Sequence, residues 1–394
     1  MQFSKSLLYL SLFGALCFTS CDNDDEPDMT PDDPGLQVPS TYTFTDADGN
    51  STVSYNGQEQ RLEMLSEITT YMKTGNTSGN AVDAQQLKDM YANENITWAD
   101  APGLGMTGSS KQLKSKTGAA PSGTPDPGFI AYFEGLMDGL GFVSSTTVAG
   151  NDNGGPGQAG VVVSTTNPSK QYLQDANGQE FVQLIEKGLM GAVFYNQIQL
   201  HYLGEPLQNS DNTDVVDAAN GKYYTQMEHF WDEAYGYFTT ATDYTPGGGN
   251  GTNRFWGRYA DGREDVLGSA TSISRAFRTG RAAISAGDMA ERDAQIAVIR
   301  DELQKVAAGT AIHYLNDAIA DFGDDALRNH VLSEAAAFMY ALPFGHETIA
   351  NQAQIQTWLT LIGTDFYNVS TTDILTVRDE LAAAAGLSDV REDL

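Results

Sequence analysis

Cysteine is almost absent from this sequence of 394 residues. The two cysteines, Cys17 and Cys21, both lie near the N-terminus. Residues beyond Cys21 therefore cannot form disulfide bonds with one another or use a thiolate as a nucleophile. Histidine is scarce as well, with 5 in the whole chain, so a site that depends on imidazole has few candidates.

Positive charge is also in short supply. The chain has 22 lysine and arginine residues against 52 aspartate and glutamate residues, and its formal net charge at pH 7 is −30. A surface this acidic repels a phosphate backbone, so we expect no nucleic-acid partner. The same surface attracts cations to any cleft that carboxylates line.

Apolar runs long enough to span a membrane are missing, and the N-terminus instead has the features of an export signal. Lys5 precedes an apolar stretch from Leu7 to Phe18, which is too short for a good membrane-spanning helix. Small residues before Cys21 resemble a lipoprotein processing site. We therefore expect a signal peptide over residues 1–20 and a lipid on Cys21. The alternative is plain cleavage near Ser20, which leaves Cys21 free.

Residues 21–40 are acidic and rich in proline, which predicts a stiff, polar tether. The acidic run at residues 22–26 resembles the export tag of surface lipoproteins, although a solvated linker has the same composition. We expect an outer-membrane lipoprotein that is exposed on the cell surface. Its lipid anchor would make the outer membrane its first partner. A small ligand or an outer-membrane receptor is the expected second partner, and the oligomeric state stays open.

Helical periodicity dominates residues 41–394, which we expect to form a single domain. Alternating residues around the turn Asp48-Gly49 predict a β-hairpin at its start. Glycine-rich segments near 101–125 and 143–170 predict long surface loops. The fold class is therefore mainly α, a helical bundle array with a small N-terminal β-hairpin. Helices are predicted around residues 62–72, 82–92, 129–140, 179–203, 223–240, 273–284, 288–321, 325–342, 352–362 and 372–384.

Two of the histidines are each followed by a glutamate four residues later. His229 and Glu233 form one pair, and His330 and Glu334 form the other. Residues four apart share one face of a helix and lie about 6 Å from each other. If the two helices pack together, both pairs and Asp232 can converge on one metal ion, as in helical-bundle metal sites. Imidazole and carboxylate ligands suit iron or zinc.

A structural role is the alternative for these pairs. Both glutamates lie within apolar stretches, and a buried carboxylate needs a partner, which a histidine or an arginine can supply. Arg275, Arg278 and Arg281 form a basic cluster further along the chain. We expect internal pairing of this cluster with Asp232 or Glu233, while a clamp on the carboxylate of a ligand stays open.

Three blocks of the sequence, at residues 186–195, 229–238 and 330–334, resemble an uncharacterised domain family of Bacteroidota lipoproteins. The sequence Trp-Asp-Glu-Ala-Tyr-Gly-Tyr-Phe at residues 231–238 is the most specific of them. The resemblance covers most of residues 40–390 and implies no particular activity.

The helical layout is also similar, more distantly, to imelysin-like proteins of the outer membrane. His229-x-x-Asp232 keeps the spacing of their Gly-x-His-x-x-Glu motif, but Met227 replaces the glycine and the acid is an aspartate. This resemblance implies a helical bundle, a link to iron uptake and a metallopeptidase activity as a further alternative.

Three functions are therefore compatible with the sequence. The first is a tethered binding domain that holds a metal or an iron-related ligand through the two His/Glu pairs. The second is a non-catalytic module that recognises a glycan, a peptide or a partner through the glycine-rich loops and aromatic side chains. The third is an imelysin-like metallopeptidase. The sequence has no nucleophile elbow, phosphate loop, dinucleotide fingerprint or His-Glu-x-x-His signature, so no residue is assigned a catalytic role.

Overall fold

The longest helix, α10 (Met289–Ala320), is the element on which the other long helices are assembled. The computed structural model describes residues 35–147, 153–247, 253–346 and 348–394. Within it, α10 packs along the helices that precede and follow it in sequence and along the last helix of the chain. Ala307, Ala308 and Ala311 are fully buried in its middle. These small side chains allow the neighbouring helices to approach closely.

The described part of the chain is mainly α, as predicted. Helices α1 (Asn56–Lys73), α2 (Ala84–Ala92), α3 (Pro127–Thr146), α4 (Phe181–Leu189), α5 (Glu205–Gln208), α6 (Gln226–Phe238), α7 (Phe255–Gly262), α8 (Glu264–Leu267) and α9 (Ser269–Ala286) precede α10, and α11 (Asp325–Ala341), α12 (Gln352–Ile362) and α13 (Thr371–Ala385) follow it. Strands β1 (Gly160–Val163) and β2 (Gln171–Gln174) form one antiparallel pair, and β3 (Val215–Asp217) and β4 (Lys222–Thr225) form another.

The predicted N-terminal hairpin is reduced to a turn with one antiparallel bridge, between Thr45 and Ser51. The Asp46 carboxylate accepts hydrogen bonds from the backbone amides of Asp48 and Asn50, at 3.0 and 2.8 Å. These bonds stabilise the turn and lower the pKa of Asp46, with the side-chain bond from Asn50 as the largest contribution. The turn is therefore built as the sequence predicts, but without a regular pair of strands.

Two predictions about the secondary structure are wrong. The segment near 143–170 is not only a loop, because α3 extends to Thr146 and β1 lies within it. The helix predicted from residue 223 begins at Gln226, because residues 222–225 form β4. Thr225 then caps α6, since its hydroxyl accepts from the backbone amide of Glu228 while the Glu228 carboxylate accepts from the amide of Thr225.

The helix predicted over residues 179–203 is present, and its C-terminal part is a π-helix, which is wider than an α-helix. After α4 it continues as π-helical segments over Met190–Tyr195 and Gln197–Tyr202. Gly191 allows it to pack tightly on α11, because a Cβ at this position would lie 2.4 Å from the Cβ of Ala341. The close approach places the charged residues of α4 beside those of α11.

Asp324 fixes the loop after β1 to the start of α11. Its Oδ2 accepts from the Ser164 hydroxyl at 2.7 Å and from the Thr165 and Thr166 amides at 2.9 and 3.1 Å. Burial alone would raise the pKa of Asp324, but these hydrogen bonds outweigh it and hold the pKa well below its usual range. The β1–β2 pair is thereby held against α11.

No helix in the described ranges is both long and apolar enough to cross a membrane. The predicted signal peptide, Cys21 and most of the predicted tether lie outside the described residues. Residues 37–394 form one compact unit.

Candidate functional site

The first predicted His/Glu pair is formed at the surface of α6. The Nε2 of His229 lies 3.9 Å from the Oε2 of Glu233. The Nδ1 of His229 donates to the backbone carbonyl of Ser54 at 3.0 Å, and the ring of Tyr224 stacks on the imidazole at 4.6 Å. Gln58 donates to the other carboxylate oxygen of Glu233. Both members of the pair therefore already have partners within the protein.

The second predicted pair is formed on α11 and is more deeply enclosed. The Nε2 of His330 lies 3.6 Å from the Oε2 of Glu334, and its Nδ1 donates to Glu180 at 2.6 Å. The ring of Tyr172 stacks on the imidazole at 4.0 Å. The Ser333 hydroxyl accepts from the backbone amide of Glu180 and so fixes its position. Burial by itself would lower the pKa of His330. The charge of Glu180 and its hydrogen bond to the imidazole outweigh this effect and raise the pKa of His330.

The two pairs do not converge, so the five predicted metal ligands do not come together in one place. Helix α6 packs on α1, α9 and the second π-helical segment, whereas α11 packs on α4 and α10. Among the described residues, no group of three or more His, Cys, Asp or Glu side chains is arranged to hold a metal ion. The two His/Glu pairs are therefore separate, and each imidazole stacks on a different tyrosine.

Asp232 is part of a buried ionic clamp. Its Oδ1 accepts from Arg281 at 3.0 Å and from the Tyr42 hydroxyl at 2.7 Å, and its Oδ2 accepts from the backbone amide of Ser54. Arg281 also donates to Glu228 at 2.7 Å. Burial raises the pKa of Asp232 to about 6, against the opposing effect of Arg281. The predicted internal pairing of Arg281 with Asp232 is confirmed, and it ties the N-terminal turn to α6 and α9.

A second buried ionic network surrounds Lys187 on α4. The Nζ of Lys187 lies 2.8 Å from Glu186 and 3.6 Å from Glu334. Burial disfavours the charged ammonium, but these two carboxylates outweigh it and raise the pKa of Lys187. Burial also raises the pKa of Glu334. Through Glu334, this network joins the pair formed by His330 and Glu180.

This network forms the wall of a cavity of about 470 Å³, called here the polar cleft. It is lined by Lys73, Asn76, Lys170, Tyr172, Glu180, Gln183, Glu186, Lys187, Arg258, Tyr259, Tyr314, His330 and Glu334. Four of the 22 lysine and arginine residues of the chain thus line one cavity. Two of the three sequence blocks that carry the family resemblance contribute to it, at residues 186–187 and at His330 and Glu334.

Polar groups in the cleft remain available to a ligand. The buried Oε1 of Gln183 accepts no hydrogen bond from any described residue. Lys73, Lys170 and Arg258 are exposed at the rim, and the charged groups of their side chains form no hydrogen bond or ion pair with the described part of the chain. Buried polar groups in folded proteins are normally paired, so an unpaired acceptor that lines a cavity indicates a place for a donor.

Two other cavities of similar size lack this charge. One, of about 570 Å³, lies between α3, α11 and α12, and none of its lining residues is acidic or basic; Tyr132 and Phe366 stand among them. The other, of about 480 Å³, lies at the N-terminal turn, and Glu59 is its one charged lining residue. Of these three cavities in the described part of the chain, the polar cleft therefore has the most charged lining residues.

Sequence reasoning missed several residues of the polar cleft. Glu180 and Tyr172 contact His330 from about 150 positions away, so no local pattern connects them. Lys187 was noted only within a block of family resemblance. A local signal did exist, because Glu186 and Lys187 are the only charged residues between Phe181 and Leu200, and charges within a largely uncharged, buried helix need partners.

Fold and site together define a helical domain whose buried ionic network opens into a polar cleft. The sequence matches the family described as "Domain of unknown function (DUF4856)" over residues 39–386, and the chain belongs to that family. The predicted resemblance to an uncharacterised domain family is thereby confirmed. No curated protein and no solved structure gives a significant match.

Proposed function

We propose that this domain is a binding protein whose polar cleft holds a small ligand with a carboxylate group and a polar ring, such as an acidic sugar. The observation that carries the proposal is the position of three cationic side chains, Lys73, Lys170 and Arg258, around one cleft of a chain with a net charge of −30. None of the three is paired with a side chain in the described part of the protein. Positive charge at a cleft draws in an anion even when the surrounding surface is acidic.

The interior of the cleft does not cancel this charge. Glu180 is paired with His330, and Glu186 with Lys187, so two of the three interior carboxylates have a partner within the protein. The third, Glu334, lies 3.6 Å from both Lys187 and His330. The rim cations are therefore left to attract an anionic ligand.

The shape and chemistry of the lining favour a ring-shaped polar ligand. Tyr172 and Tyr259 offer aromatic surfaces, and Gln183 offers an unpaired acceptor for a hydroxyl group. Few polar groups among aromatic surfaces are typical of small-molecule sites. The guanidinium of Arg258 can bind a carboxylate through two parallel hydrogen bonds.

The metal and peptidase alternatives have less support. The ammonium of Lys187 already lies between Glu186 and Glu334, where a bound cation would be repelled. The two residues with the imelysin-like spacing also have partners within the protein, because Asp232 is bound to Arg281 and His229 is bound to Ser54. An iron-related ligand remains compatible with the polar cleft only if it carries acidic groups of its own.

We also propose that the protein is displayed on the cell surface through a lipid anchor. The apolar N-terminal segment, the residues before Cys21 and the acidic tether support a Bacteroidota-type outer-membrane lipoprotein. We expect mass spectrometry of the mature N-terminal peptide to find a lipid on Cys21. A mature chain that keeps residues 1–20, or an unmodified Cys21, would contradict the anchor.

The binding proposal is tested by calorimetric titration of galacturonate and glucuronate at low ionic strength. We expect the wild-type protein to bind at least one of these acids and to bind the matching neutral sugar, galactose or glucose, far more weakly. Arg258→Gln should weaken binding of the acid roughly 10- to 100-fold, because it removes a charge-assisted pair of hydrogen bonds.

Lys222→Gln is the matched control, because Lys222 is exposed on β4 and does not line the cleft. It removes one positive charge from the same chain and should leave the affinity unchanged. Failure of the wild type to bind either acid, equal binding of neutral and acidic sugars, or equal effects of the two substitutions would each contradict the proposal.

A further inference from the structure

A second cavity, of about 250 Å³ and called here the side chamber, adjoins the polar cleft. The two share Glu186, Lys187, Arg258 and Tyr259 as a common wall. Cleft and side chamber together fall within the range of roughly 300–1,000 Å³ that is typical of ligand pockets. A ligand longer than one ring could therefore extend from one into the other past Arg258.

Two residues that line the side chamber each have a buried polar atom without a partner in the described part of the chain. The Thr69 hydroxyl and the Asn253 side-chain amide belong to residues that are each 6% exposed, and neither Oγ1 of Thr69 nor Nδ2 of Asn253 has a hydrogen-bond partner among the described residues. A buried polar group without a partner costs free energy, so unpaired groups beside a cavity indicate a ligand that completes them.

The orientation of the Asn253 amide follows from its neighbours. The Thr239 hydroxyl accepts from the backbone amide of Ala241, so its own proton is free to donate, and it donates to the Oδ1 of Asn253 at 3.2 Å. The Nδ2 of Asn253 is therefore the atom left to donate. A hydrogen-bond donor that lines a cavity calls for an acceptor, such as a carboxylate oxygen.

The residues after Asn253 are an arginine that is paired with a carboxylate and a phenylalanine with a strained backbone. Arg254 is bound to Glu63 and to the Ser66 hydroxyl, which it approaches at 3.2 Å. Because Ser66 accepts this bond, its own proton remains available to the chamber. Phe255 has a φ of +51°, which is unfavourable for a residue with a bulky side chain. Such strain is found preferentially at ligand sites, where the surrounding structure enforces it.

We infer that the side chamber is a second anion subsite, and that cleft and side chamber together bind an elongated ligand with two acidic groups, such as an acidic disaccharide. The inference rests on the proposed function, because it takes the polar cleft as the first subsite. Thr69, Ser66 and Asn253 donate hydrogen bonds to the second acidic group, and Arg258 lies between the two groups. The charge of Glu186 is balanced there by Lys187.

The test compares galacturonate with its α-1,4-linked disaccharide, by calorimetry, on the wild type and on Thr69→Val. The substitution keeps the shape of the side chain and removes the unpaired hydroxyl. We expect the disaccharide to bind the wild type more tightly than the monosaccharide does. Thr69→Val should weaken the disaccharide roughly five- to tenfold and leave the monosaccharide unchanged. Its midpoint of thermal unfolding without ligand should be equal to or above that of the wild type, because no hydrogen bond is lost.

Two further variants make the result decisive. Asn253→Asp keeps the acceptor for Thr239 and places a negative charge in the side chamber, so it should weaken the disaccharide more than tenfold and leave the monosaccharide unchanged. Thr70→Val is the matched control, because the Thr70 hydroxyl is exposed and bound to the Ser66 carbonyl one turn back. It should change neither affinity.

The outcomes separate the inference from the proposed function. If the wild type binds galacturonate, but the disaccharide binds no more tightly or is insensitive to Thr69→Val and Asn253→Asp, the side chamber is not a subsite and the polar cleft stands. If the wild type binds neither sugar, the cleft proposal fails and the inference fails with it.

Discussion

Arg281→Met is expected to lower the free energy of unfolding by about 3–5 kcal/mol, because it breaks a buried ion pair from one side. The Arg281 side chain is fully buried, and it binds both Asp232 and Glu228. Its loss leaves two carboxylates inside the protein without their cation. It also releases the backbone carbonyl and hydroxyl of Thr52, which Arg281 holds at the N-terminal turn. Urea-induced unfolding followed by circular dichroism measures the change.

Arg278→Met is the control for this prediction. Arg278 lies one turn earlier on α9, is partly exposed and donates to the backbone carbonyls of Pro39 and Ser274 rather than to a carboxylate. We expect Arg278→Met to lower the free energy of unfolding by less than about 1 kcal/mol, as substitutions of partly exposed residues usually do. Equal losses of stability in the two variants would show that the buried clamp is not what holds the N-terminal turn to the helices.

Lys187→Met is expected to lower the free energy of unfolding by a similar amount, about 3–5 kcal/mol, because it also breaks a buried ionic network from one side. The substitution keeps most of the apolar part of the side chain, but Glu186 and Glu334 lose the ammonium between them. Urea-induced unfolding followed by circular dichroism measures this change as well.

Lys305→Met is the control for this prediction, since Lys305 forms a partly exposed pair with Glu302 and should contribute less than about 1 kcal/mol. Equal losses of stability in Lys187→Met and Lys305→Met would contradict the role of Lys187 as the internal cation of the cleft.

Local patterns in the sequence predicted the helices well. Leu62, Leu65, Ile68 and Met72 lie on one buried face of α1, as their spacing predicted. The predicted boundaries of α12 also agree with those observed, because the flanking Asn351 and Gly363 are local signals. The His/Glu spacings were equally local, and both pairs formed within their helices. The strands were missed because four residues such as Gly160–Val163 are too few to show a pattern.

Whether the two His/Glu pairs converge could not be predicted from local patterns. Which helices face each other is decided by tertiary packing, for example by the close contact between Gly191 and Ala341 that brings α4 against α11. That contact gave His330 and Glu334 the partners Glu180 and Lys187, while His229 met Ser54 and Tyr224 instead. The sequence therefore indicated reactive side chains, but the fold determined which of them form one site.

The most direct measurement is a crystal structure of the protein with the acidic sugar that calorimetry finds to bind best. We expect a carboxylate of the sugar within hydrogen-bonding distance of the Arg258 guanidinium and the sugar ring between Tyr172 and Tyr259. Ligand density in the apolar cavity that Tyr132 and Phe366 line, or on the surface away from Arg258, would contradict binding in the polar cleft.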